Sequence, residues 1–539
     1  MKKIIKYLFL LTGGSFILAS CNDFLDREPL DSVTPDNFFF TENDLAAYAV
    51  KHYNFTTHEG FNAGIWKNDN ATDNQAATDY DKKWIPGQWK VPEAYDNPAS
   101  NDPWYFSTIR EANYFLETVV PRFEKGEIEG SETNIKHYIG EMYFLRAKNY
   151  LSKLETFGDF PIIKNTLPDE SESLIQASKR APRYKVAHFI LEDLDQAISL
   201  LTNNISGGKN RITKNAALLL KSRAALFEAS WLTYHKGTAL VPGGPGWPGK
   251  AEDIADFNID TEIAFFLKEA KAAAKEVIGN AALVQNTAKD CMDETVKTDE
   301  DKYKMSNPYF AQFSANSLEG YSEILMWRAY NLLDYKIVHS APFYIRVGGN
   351  TGFTRQYVES FLCRDGKPIY ATDQYKGDES LLNVRKNRDL RLQLFLMTPG
   401  ETLSPNVMNG TPDLLPEVPQ LLDITEKRCV TGYQVRKGLS GNWYRDGNTA
   451  IEGCPVYRAA EAYLNYIEAD CMEHNGTSIG SEAAGYWGDL RERAGLPRDY
   501  TVTVNNTDLS KELDWAVYSA GKTVSPLLYN IRRERRCEL

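Results

Sequence analysis

Flat aromatic residues are concentrated between residues 60 and 105, where they alternate with short polar side chains. The aromatic members are Trp66, Trp84, Trp89, Tyr95, Trp104 and Tyr105, and the polar members are Asp69, Asn70, Asp73, Asn74, Asp79, Asp81 and Gln88. A sugar ring lays its C–H faces on aromatic rings and offers hydroxyl groups to side chains of this kind. The pattern favours a carbohydrate-binding groove, with Trp66, Trp84 and Trp89 as stacking surfaces and Asp73 and Asn74 as hydroxyl partners. The alternative for each tryptophan is a place in the core, which we expect for Trp104 at the start of a helix.

Motifs that would carry out covalent chemistry fail on residue type or on context. Residues 244–250 have the spacing of a phosphate-binding loop, but Ala251 stands where such a loop has a hydroxyl, and two prolines remove N–H donors. Residues 476–480 match the Gly-x-Ser-x-Gly pattern of a nucleophile elbow. They follow a predicted helix over 455–473, however, whereas the serine of such an elbow follows a strand. The seven histidines lack metal-ligand spacing. We therefore expect no catalytic residue, no cofactor and no metal site, although structural calcium in the Asp-rich loops stays open without an EF-hand pattern.

The composition is that of an ordinary globular protein. The 539 residues include 61 Lys and Arg against 73 Asp and Glu, which gives a net charge of -12, with 42% hydrophobic and 25% charged residues. These fractions exclude a disordered acidic tail protein, a collagen and a polytopic membrane protein. Binding to nucleic acid as the main task requires a basic footprint, so we expect no nucleic-acid partner.

The first twenty residues have the organisation of a bacterial export signal. Lysines at positions 2, 3 and 6 precede a mostly apolar run over 7–18, which is too short to span a membrane. Leu18-Ala-Ser-Cys21 resembles the bacterial lipobox, which implies removal of residues 1–20 and lipidation of Cys21. The alternative is a plain secretory peptide with an incidental cysteine. The six other cysteines show no metal-type spacing, and we expect most of them to be buried thiols.

Much of the chain has the periodicity of amphipathic helices. Apolar residues recur at i, i+3 and i+4 in 184–202, with Asp193 and Asp195 on the opposite face. Helices are predicted over 104–123, 137–157, 184–202, 213–234, 262–280, 455–473, 481–494 and 509–537. Small residues such as Ala224 and Ala225 suit close helix crossings, so the sequence predicts tetratricopeptide-like helical hairpins. The basic run at 532–536 is expected to be a helix end with acidic partners.

Long stretches without helical period separate these helices. They cover 56–103, 238–258, 285–322 and 341–450, and the last contains β-like pieces such as Phe343–Val347. Loops of this length are usually functional or carry irregular structure. The acidic run over 290–301 is expected to be a solvated face. The predicted fold class is therefore mainly α, with helical hairpins that carry a loop-rich lobe, over 303–450, with little β structure.

Several blocks, taken in order, resemble the RagB/SusD family of outer-membrane nutrient-binding lipoproteins. The early blocks are Cys21-Asn-Asp-Phe-Leu-Asp-Arg-Glu-Pro29, Glu141-Met-Tyr-Phe-Leu-Arg-Ala147 and Phe157-Gly-Asp-Phe-Pro161. The later blocks are Asp365-Gly-Lys-Pro-Ile369, Asn387-Arg-Asp-Leu-Arg391, Thr431-Gly-Tyr-Gln-Val-Arg-Lys437, the stretch Tyr457 to Ala469, and Arg491-Glu-Arg-Ala-Gly-Leu-Pro497. No single block would be specific, but their order from residue 21 to the end of the chain is.

The resemblance implies a SusD-like fold and a protein that captures oligosaccharide without breaking a bond. Such a protein is lipid-anchored in the outer membrane, faces the cell exterior and delivers its ligand to a SusC-like TonB-dependent transporter. The implied organisation is a signal peptide over 1–20, a helical scaffold over 21–300 with glycan-facing loops at 56–103, and a loop-rich lobe plus C-terminal helices over 301–539. The family has no fixed ligand residues, so the candidates rest on chemistry, and Arg328 and Tyr330 are added as contacts from the second lobe.

Two alternative functions remain open for this protein. A surface lipoprotein glycosidase needs two carboxylates across a sugar bond, and 73 acidic residues nominate many pairs. A binder of peptide or of another macromolecule would use the same aromatic loops.

The sequence departs from the family pattern at one place. The family pattern continues through an aromatic-rich segment after the motif that ends at Leu539, so the sequence is expected to be a truncated fragment or a shortened product.

Overall fold

A computed structural model describes most of the chain after residue 37. The described residues are 38–59, 64–79, 81, 104–287, 307–334, 336–399, 402–404, 413–414, 419–440 and 448–539. The signal sequence, Cys21, Trp84, Trp89 and the acidic run over 290–301 lie outside them, so the predictions for these residues stay predictions.

The described chain is dominated by helices. They are α1 (Glu42–Lys51), α2 (Ser107–Glu124), α3 (Glu132–Phe157), α4 (Ser171–Ala177), α5 (Arg183–Leu200), α6 (Lys214–His235), α7 (Ile259–Asn280), α8 (Pro308–Ala311), α9 (Ala341–Val347), α10 (Arg355–Ser360), α11 (Leu381–Arg385), α12 (Leu390–Phe395), α13 (Ala460–Glu473), α14 (Ser481–Arg493), α15 (Thr501–Asn505) and α16 (Pro526–Glu538). None of these described helices is both long enough and apolar enough to cross a membrane.

Short antiparallel strand pairs make up the β structure of the described residues. The strands are β1 (Gln75–Ala77), β2 (Ile324–Arg328), β3 (Thr351–Phe353), β4 (Thr402–Ser404), β5 (Asp413–Leu414), β6 (Cys454–Arg458), β7 (Tyr518–Ser519) and β8 (Lys522–Thr523). They pair as β1 with β3, β2 with β6, β4 with β5, and β7 with β8. The mainly α fold class with little β structure is therefore confirmed.

The long helices pack on one another in chain order around a common core. Helix α3 packs against α2 and α5, α6 against α5 and α7, and α13 against α7, α14 and α16. The side chain of Thr213 accepts a hydrogen bond from the Ala216 N–H and so caps the start of α6. Buried alanines on α6, among them Ala224 and Ala225, have short side chains and therefore allow the neighbouring helices to pack close to α6. This succession of paired helices is the predicted tetratricopeptide-like scaffold.

Buried ion pairs fix the crossings of these helices, and one of them corrects the sequence analysis. Asp193 does not lie on a solvent face: it is buried, and its carboxylate accepts two bonds of 2.7 Å from the Arg146 guanidinium on α3. Arg183 lies on α5, the helix that also carries Asp193. It is buried and donates to Glu228 on α6 at 2.7 Å. Periodicity alone placed Asp193 outside because it does not register that a facing helix supplies an arginine.

Three element boundaries also differ from the sequence prediction. The last helix begins at Pro526 and not at 509, and the residues before it form α15, a 3₁₀ turn and the β7–β8 hairpin. The β-like stretch Phe343–Val347 is part of helix α9. The helix predicted over 455–473 begins at Ala460, because the preceding residues pair with β2 as strand β6. In this last case tertiary pairing overrides local propensity.

Candidate functional site

The polar turn at 68–74 is held in place by a strand pairing across 276 residues of sequence. Gln75 lies opposite Phe353 in the β1–β3 register. The Gln75 side chain donates to the Trp66 carbonyl at 3.1 Å and to the Thr351 hydroxyl at 2.7 Å. The Thr354 N–H donates to the Asn74 carbonyl at 2.9 Å. These bonds attach the turn to the later part of the chain and leave its carboxylates at the surface.

The guanidinium of Arg536, on α16, organises the two predicted hydroxyl partners. Its Nε donates to the Asn74 side-chain oxygen, and its Nη2 donates to the Asp73 carbonyl at 2.9 Å. The Asn74 amide also donates to the Asp69 carboxylate at 3.0 Å, so both ends of the Asn74 side chain are engaged. The Asp73 carboxylate lies 3.5 Å from Arg536 and is 41% exposed. Of the two residues, Asp73 is therefore the one available to a ligand hydroxyl.

An exposed tryptophan that sequence reasoning missed follows a residue that contacts the same arginine. Trp515 is 79% exposed, and Tyr518 is also exposed. The preceding residue, Asp514, is buried and lies 2.9 Å from Nη1 of Arg536. We call the set of Asp69, Asp73, Asn74 and Trp515, together with the buried Asp514 that precedes Trp515, the rim. Trp515 falls inside the helix predicted over 509–537, so the sequence did not indicate it as an exposed aromatic residue of a loop.

Trp66, just before the polar turn at 68–74, is mostly buried. Its side chain is 6% exposed, and its ring lies parallel to that of Tyr344, with centroids 6.2 Å apart. The backbone of Gly349 approaches the edge of the indole so closely that a Cβ there would lie 2.4 Å from Cη2. The structure therefore does not present Trp66 as an open stacking surface, and its contact with ligand stays a prediction.

Arg328 and Tyr330 lie together beside the segment 57–59. The Tyr330 hydroxyl donates to the His58 carbonyl at 2.5 Å, and Nη1 of Arg328 donates to the Thr57 hydroxyl at 3.1 Å. Burial raises the pKa of the Tyr330 hydroxyl far above its ordinary value. Tyr330 is thus a buried, bonded group, whereas Arg328 is half-exposed and lies 3.5 Å from Glu59. Contact of Arg328 and Tyr330 with ligand stays a prediction.

Two histidine rings lie beside Tyr330. His58 and His339 have centroids 4.7 Å apart, and His339 meets Tyr330 edge to face at 4.5 Å. Burial, reinforced by His339, lowers the pKa of His58 to about 3. His339 accepts from the Ala341 N–H at Nδ1 and donates from Nε2 to the Glu452 carbonyl at 2.9 Å. The His58 ring is therefore uncharged at neutral pH.

A cavity of about 870 Å³ lies behind the rim. Its wall combines aromatic rings, paired arginines and the polar turn, and it includes Trp66, His58, Asp69, Asp73 and Asn74, as well as Asp514 and the last residue, Leu539. Its arginines already have partners, such as Glu461 for Arg223 and Glu468 for Arg535. A mixed apolar and polar wall of this size suits a small organic ligand.

A second cavity, of about 510 Å³, lies beside Trp104 and offers fewer polar groups. Trp104 is half-buried and meets Phe157 edge to face at 4.8 Å, which agrees with the expected inward packing. The Asn113 amide in its wall is already bonded to the Ile163 carbonyl at 2.9 Å and accepts from Arg146. The first cavity is therefore the better candidate for recognising a polar ligand.

The described residues place no metal-ligand set in either region. No group of three or more His, Cys, Asp or Glu side chains among them is arranged to hold a metal ion. The five described cysteines, Cys363, Cys429, Cys454, Cys471 and Cys537, are free and buried, which confirms the expectation of buried thiols for this part of the chain. The four arginines at 532–536 all meet acidic partners, as expected for the basic run.

Comparison with protein families assigns this architecture to a known class. A model described as "SusD family" matches residues 296–539, and one described as "Starch-binding associating with outer membrane" matches residues 23–226. Together they cover most of the chain. The chain belongs to the SusD/RagB family.

Individual relatives are distant in sequence. SusD-like protein P38 of Formosa agariphila is 27% identical over 203 residues, which are 37% of this chain and 37% of that protein. The chain thus spans less than half the length of this curated relative. A SusD-like protein of Bacteroides fragilis has a similar structure at 22% identity, with a TM-score of 0.60 over 95% of this chain and 86% of that one. A structure described as containing xylogluco-oligosaccharide matches at 17% identity, with a TM-score of 0.52 over 92% of this chain and 79% of that one. These likenesses establish a common fold.

Proposed function

We propose that this protein binds oligosaccharide at the cell surface without cleaving it. The observation that carries the proposal is family membership, because one of the two matching models describes starch-binding proteins associated with the outer membrane. A solved structure of the same fold is described with xylogluco-oligosaccharide. Alternative ligands are peptides or other macromolecules, and the alternative activity is that of a glycosidase.

The rim supplies chemistry that suits a saccharide. Trp515 offers an exposed ring for the C–H face of a sugar, and the Asp73 carboxylate offers acceptors for hydroxyl groups. Arg536 holds both parts of the rim through Asp514 and Asn74. The polar turn and Asp514 are thus held in place before ligand arrives, which limits the entropy that these parts of the rim lose on binding.

Affinity gel electrophoresis tests saccharide binding directly. Purified protein is run through native gels that contain starch, xyloglucan or other polysaccharides, with a non-binding protein of similar charge as the control. Retardation by at least one polysaccharide supports the proposal, and equal mobility in all gels would contradict it. Retention by an immobilised peptide library alone would favour the peptide-binding alternative.

Anchoring and delivery complete the proposed role. Cys21 carries the lipid that holds the protein on the outer membrane, and a SusC-like TonB-dependent transporter receives the ligand. Metabolic labelling with a fatty acid should mark the wild-type protein and not a Cys21→Ala variant.

The transporter should copurify with the protein from detergent-solubilised outer membranes. Protease added to intact cells should digest the protein if it faces the exterior, and full protection would contradict that location.

A further inference from the structure

The wall of the cavity behind the rim has a charge balance opposite to that of the whole chain. Seven lysine and arginine side chains line the cavity against four aspartate and glutamate side chains. The chain as a whole contains 61 basic and 73 acidic residues. A concave wall with an excess of one sign concentrates its electric field in the cavity and attracts ligands of the opposite sign. The cavity therefore favours an anionic ligand.

Helix α16 presents three arginines to this cavity. Arg532, Arg535 and Arg536 share one face of the helix because they are three and four residues apart, and all three line the cavity. Arg536 has the Asp514 carboxylate as its partner. Arg532 and Arg535 share a single carboxylate, that of Glu468 on α13, whose two oxygens lie 3.0 Å and 3.1 Å from their respective Nε atoms. Among the described residues neither arginine has a second carboxylate as ion partner, so this group keeps a positive charge.

Two further cations of the wall lie on α3 and α6. Arg223 on α6 is paired with Glu461, to which its Nε and Nη2 donate at 2.6 Å and 2.7 Å. Lys148 on α3 donates to the Asn54 carbonyl at 2.5 Å, and within the described part of the chain it has no carboxylate as ion partner. Burial and the nearby Arg223 lower the pKa of Lys148, against a weaker opposing effect of Glu155. The Lys148 ammonium therefore lies near another cation without an anion paired to it.

Helix α13 connects these cations. Glu461 and Glu468 are seven residues apart, which places both carboxylates on the same face of the helix. Burial raises the pKa of Glu461, but Arg223 and, after it, Arg535 hold this pKa below its ordinary value, so both guanidinium groups are close to one carboxylate. Four cations thus surround two directly paired carboxylates, and we call these cations the basic cluster: Lys148, Arg223, Arg532 and Arg535.

The basic cluster has the chemistry and the accessibility to bind an oxyanion. A guanidinium group offers a planar fork of N–H donors that matches a carboxylate or another oxyanion, and an ammonium group adds a point charge. The side chains of Arg223 and Arg535 are 39% and 25% exposed, so a ligand in the cavity can reach them. The rings of Phe55 and Tyr457 line the same wall and suit the C–H groups of a sugar. A neutral sugar would leave the excess positive charge without compensation.

We propose that the cavity binds an acidic saccharide and that the basic cluster holds its carboxylate or sulfate group. This inference rests on the proposed function and narrows the ligand from oligosaccharide in general to sugar acids and sulfated sugars. The Asp73 carboxylate of the rim remains an acceptor for the hydroxyl groups of the same ligand. The two kinds of charged group thus recognise different parts of one saccharide.

Titration calorimetry with oligosaccharides of equal length tests the preference for acidic ligands. The panel contains oligogalacturonates, which carry carboxylates, sulfated carrageenan oligosaccharides, and neutral maltooligosaccharides and xyloglucan oligosaccharides. We expect at least one acidic oligosaccharide to bind about tenfold or more tightly than the best neutral one. Its affinity should fall as the concentration of sodium chloride is raised, because salt screens the attraction between charges. The carboxylate and sulfate members of the panel show which oxyanion the site prefers.

Charge substitutions locate the bound oxyanion at the basic cluster. Lys148→Gln removes the charge and keeps an N–H donor for the Asn54 carbonyl, and Arg535→Gln removes a guanidinium. We expect each substitution to weaken binding of the acidic oligosaccharide roughly tenfold and to leave the Kd of a neutral one within about twofold. Arg535→Lys, which keeps the charge, should retain more affinity than Arg535→Gln. The matched control is Lys236→Gln, because Lys236 is an exposed lysine that pairs with Asp260 and does not line the cavity.

The outcomes separate this inference from the proposed function. Neutral oligosaccharides that bind as tightly as acidic ones would overturn the inference and leave saccharide binding intact. Unchanged affinity for the acidic oligosaccharide in Lys148→Gln, or an equal loss for acidic and neutral ligands, would overturn the placement of the oxyanion at the basic cluster. Absence of binding across the whole panel would overturn both the inference and the proposed function. Thermal unfolding of each variant shows that it is folded, and Lys148→Gln decides the test if Arg535→Gln does not fold.

Discussion

The guanidinium of Arg536 donates a hydrogen bond to the side chain of Asn74, which lies 462 residues earlier in the chain. The same guanidinium lies 2.9 Å from the Asp514 carboxylate. One side chain of α16 therefore positions both the polar turn at 68–74 and the segment that carries Trp515. The rim exists only when these distant segments have folded together.

Replacement of Arg536 by alanine should destabilise the protein. Arg536 has a side chain that is 9% exposed, and its loss leaves the buried Asp514 carboxylate without its ion partner. Removal of one member of a buried ion pair costs on the order of 3 kcal/mol. Urea unfolding followed by tryptophan fluorescence should show this loss.

The control for this experiment is Arg355→Ala. Arg355 is exposed and bonds Glu359 one turn away, so its loss should change the free energy of unfolding far less than the loss of Arg536. Equal effects of the two substitutions would contradict the role assigned to Arg536.

Replacement of Trp515 by alanine should weaken saccharide binding without changing stability. The ring is 79% exposed, so little packing is lost, whereas stacking of an aromatic ring contributes on the order of 1 kcal/mol, or about fivefold in Kd. Titration calorimetry and thermal unfolding of the same samples check both parts. Trp515→Phe should retain most of the affinity, and Leu333→Ala, at another exposed apolar residue, should retain all of it. A lowered melting temperature with unchanged affinity would assign Trp515 a structural role instead.

The described cysteines should not react with thiol reagents in the folded protein. Burial raises the pKa of Cys363 to about 11 and the pKa values of Cys454, Cys471 and Cys537 to about 12, so thiolate is scarce at neutral pH. Iodoacetamide followed by peptide mass spectrometry should find these residues unmodified in buffer and modified in urea. Rapid native labelling at any of the four would contradict their buried placement.

Acidification should destabilise the protein partly through His58. The pKa of His58 is lowered from 6.5 to about 3 by burial, so between these values the unfolded chain binds a proton that the folded chain does not. The stability contributed by the neutral ring is therefore complete above pH 6.5 and is lost as the pH falls toward 3. The slope from this group is at most about 1.4 kcal/mol per pH unit.

A His58→Gln variant isolates this contribution because glutamine does not titrate. Denaturant unfolding of both proteins between pH 7 and pH 4 should give a shallower loss of stability in the variant. Parallel curves for the two proteins would show that His58 is protonated as easily in the folded as in the unfolded chain.

The helical scaffold could be predicted from sequence because it repeats a local signal. The apolar spacing of 184–202 matches α5, and that of 213–234 matches α6 within two residues. Periodicity does not report partners, which explains the wrong exposure predicted for Asp193. It also does not report strand pairing, which explains why residues 455–458 of strand β6 were assigned to a helix.

The candidate site was only partly predictable for the same reason. Asp73 and Asn74 could be nominated from sequence because they belong to a dense polar and aromatic segment, and their contact with ligand stays a prediction. Arg536 was assigned acidic partners but not Asn74, since nothing in the local sequence connects residues 462 positions apart.

Titration calorimetry of the wild-type protein with an oligosaccharide panel, followed by a reducing-end assay on the recovered samples, tests the central claim most directly. We expect saturable binding of at least one oligosaccharide and no increase in reducing ends. Absence of binding across the panel, or new reducing ends after incubation, would contradict capture of an intact glycan.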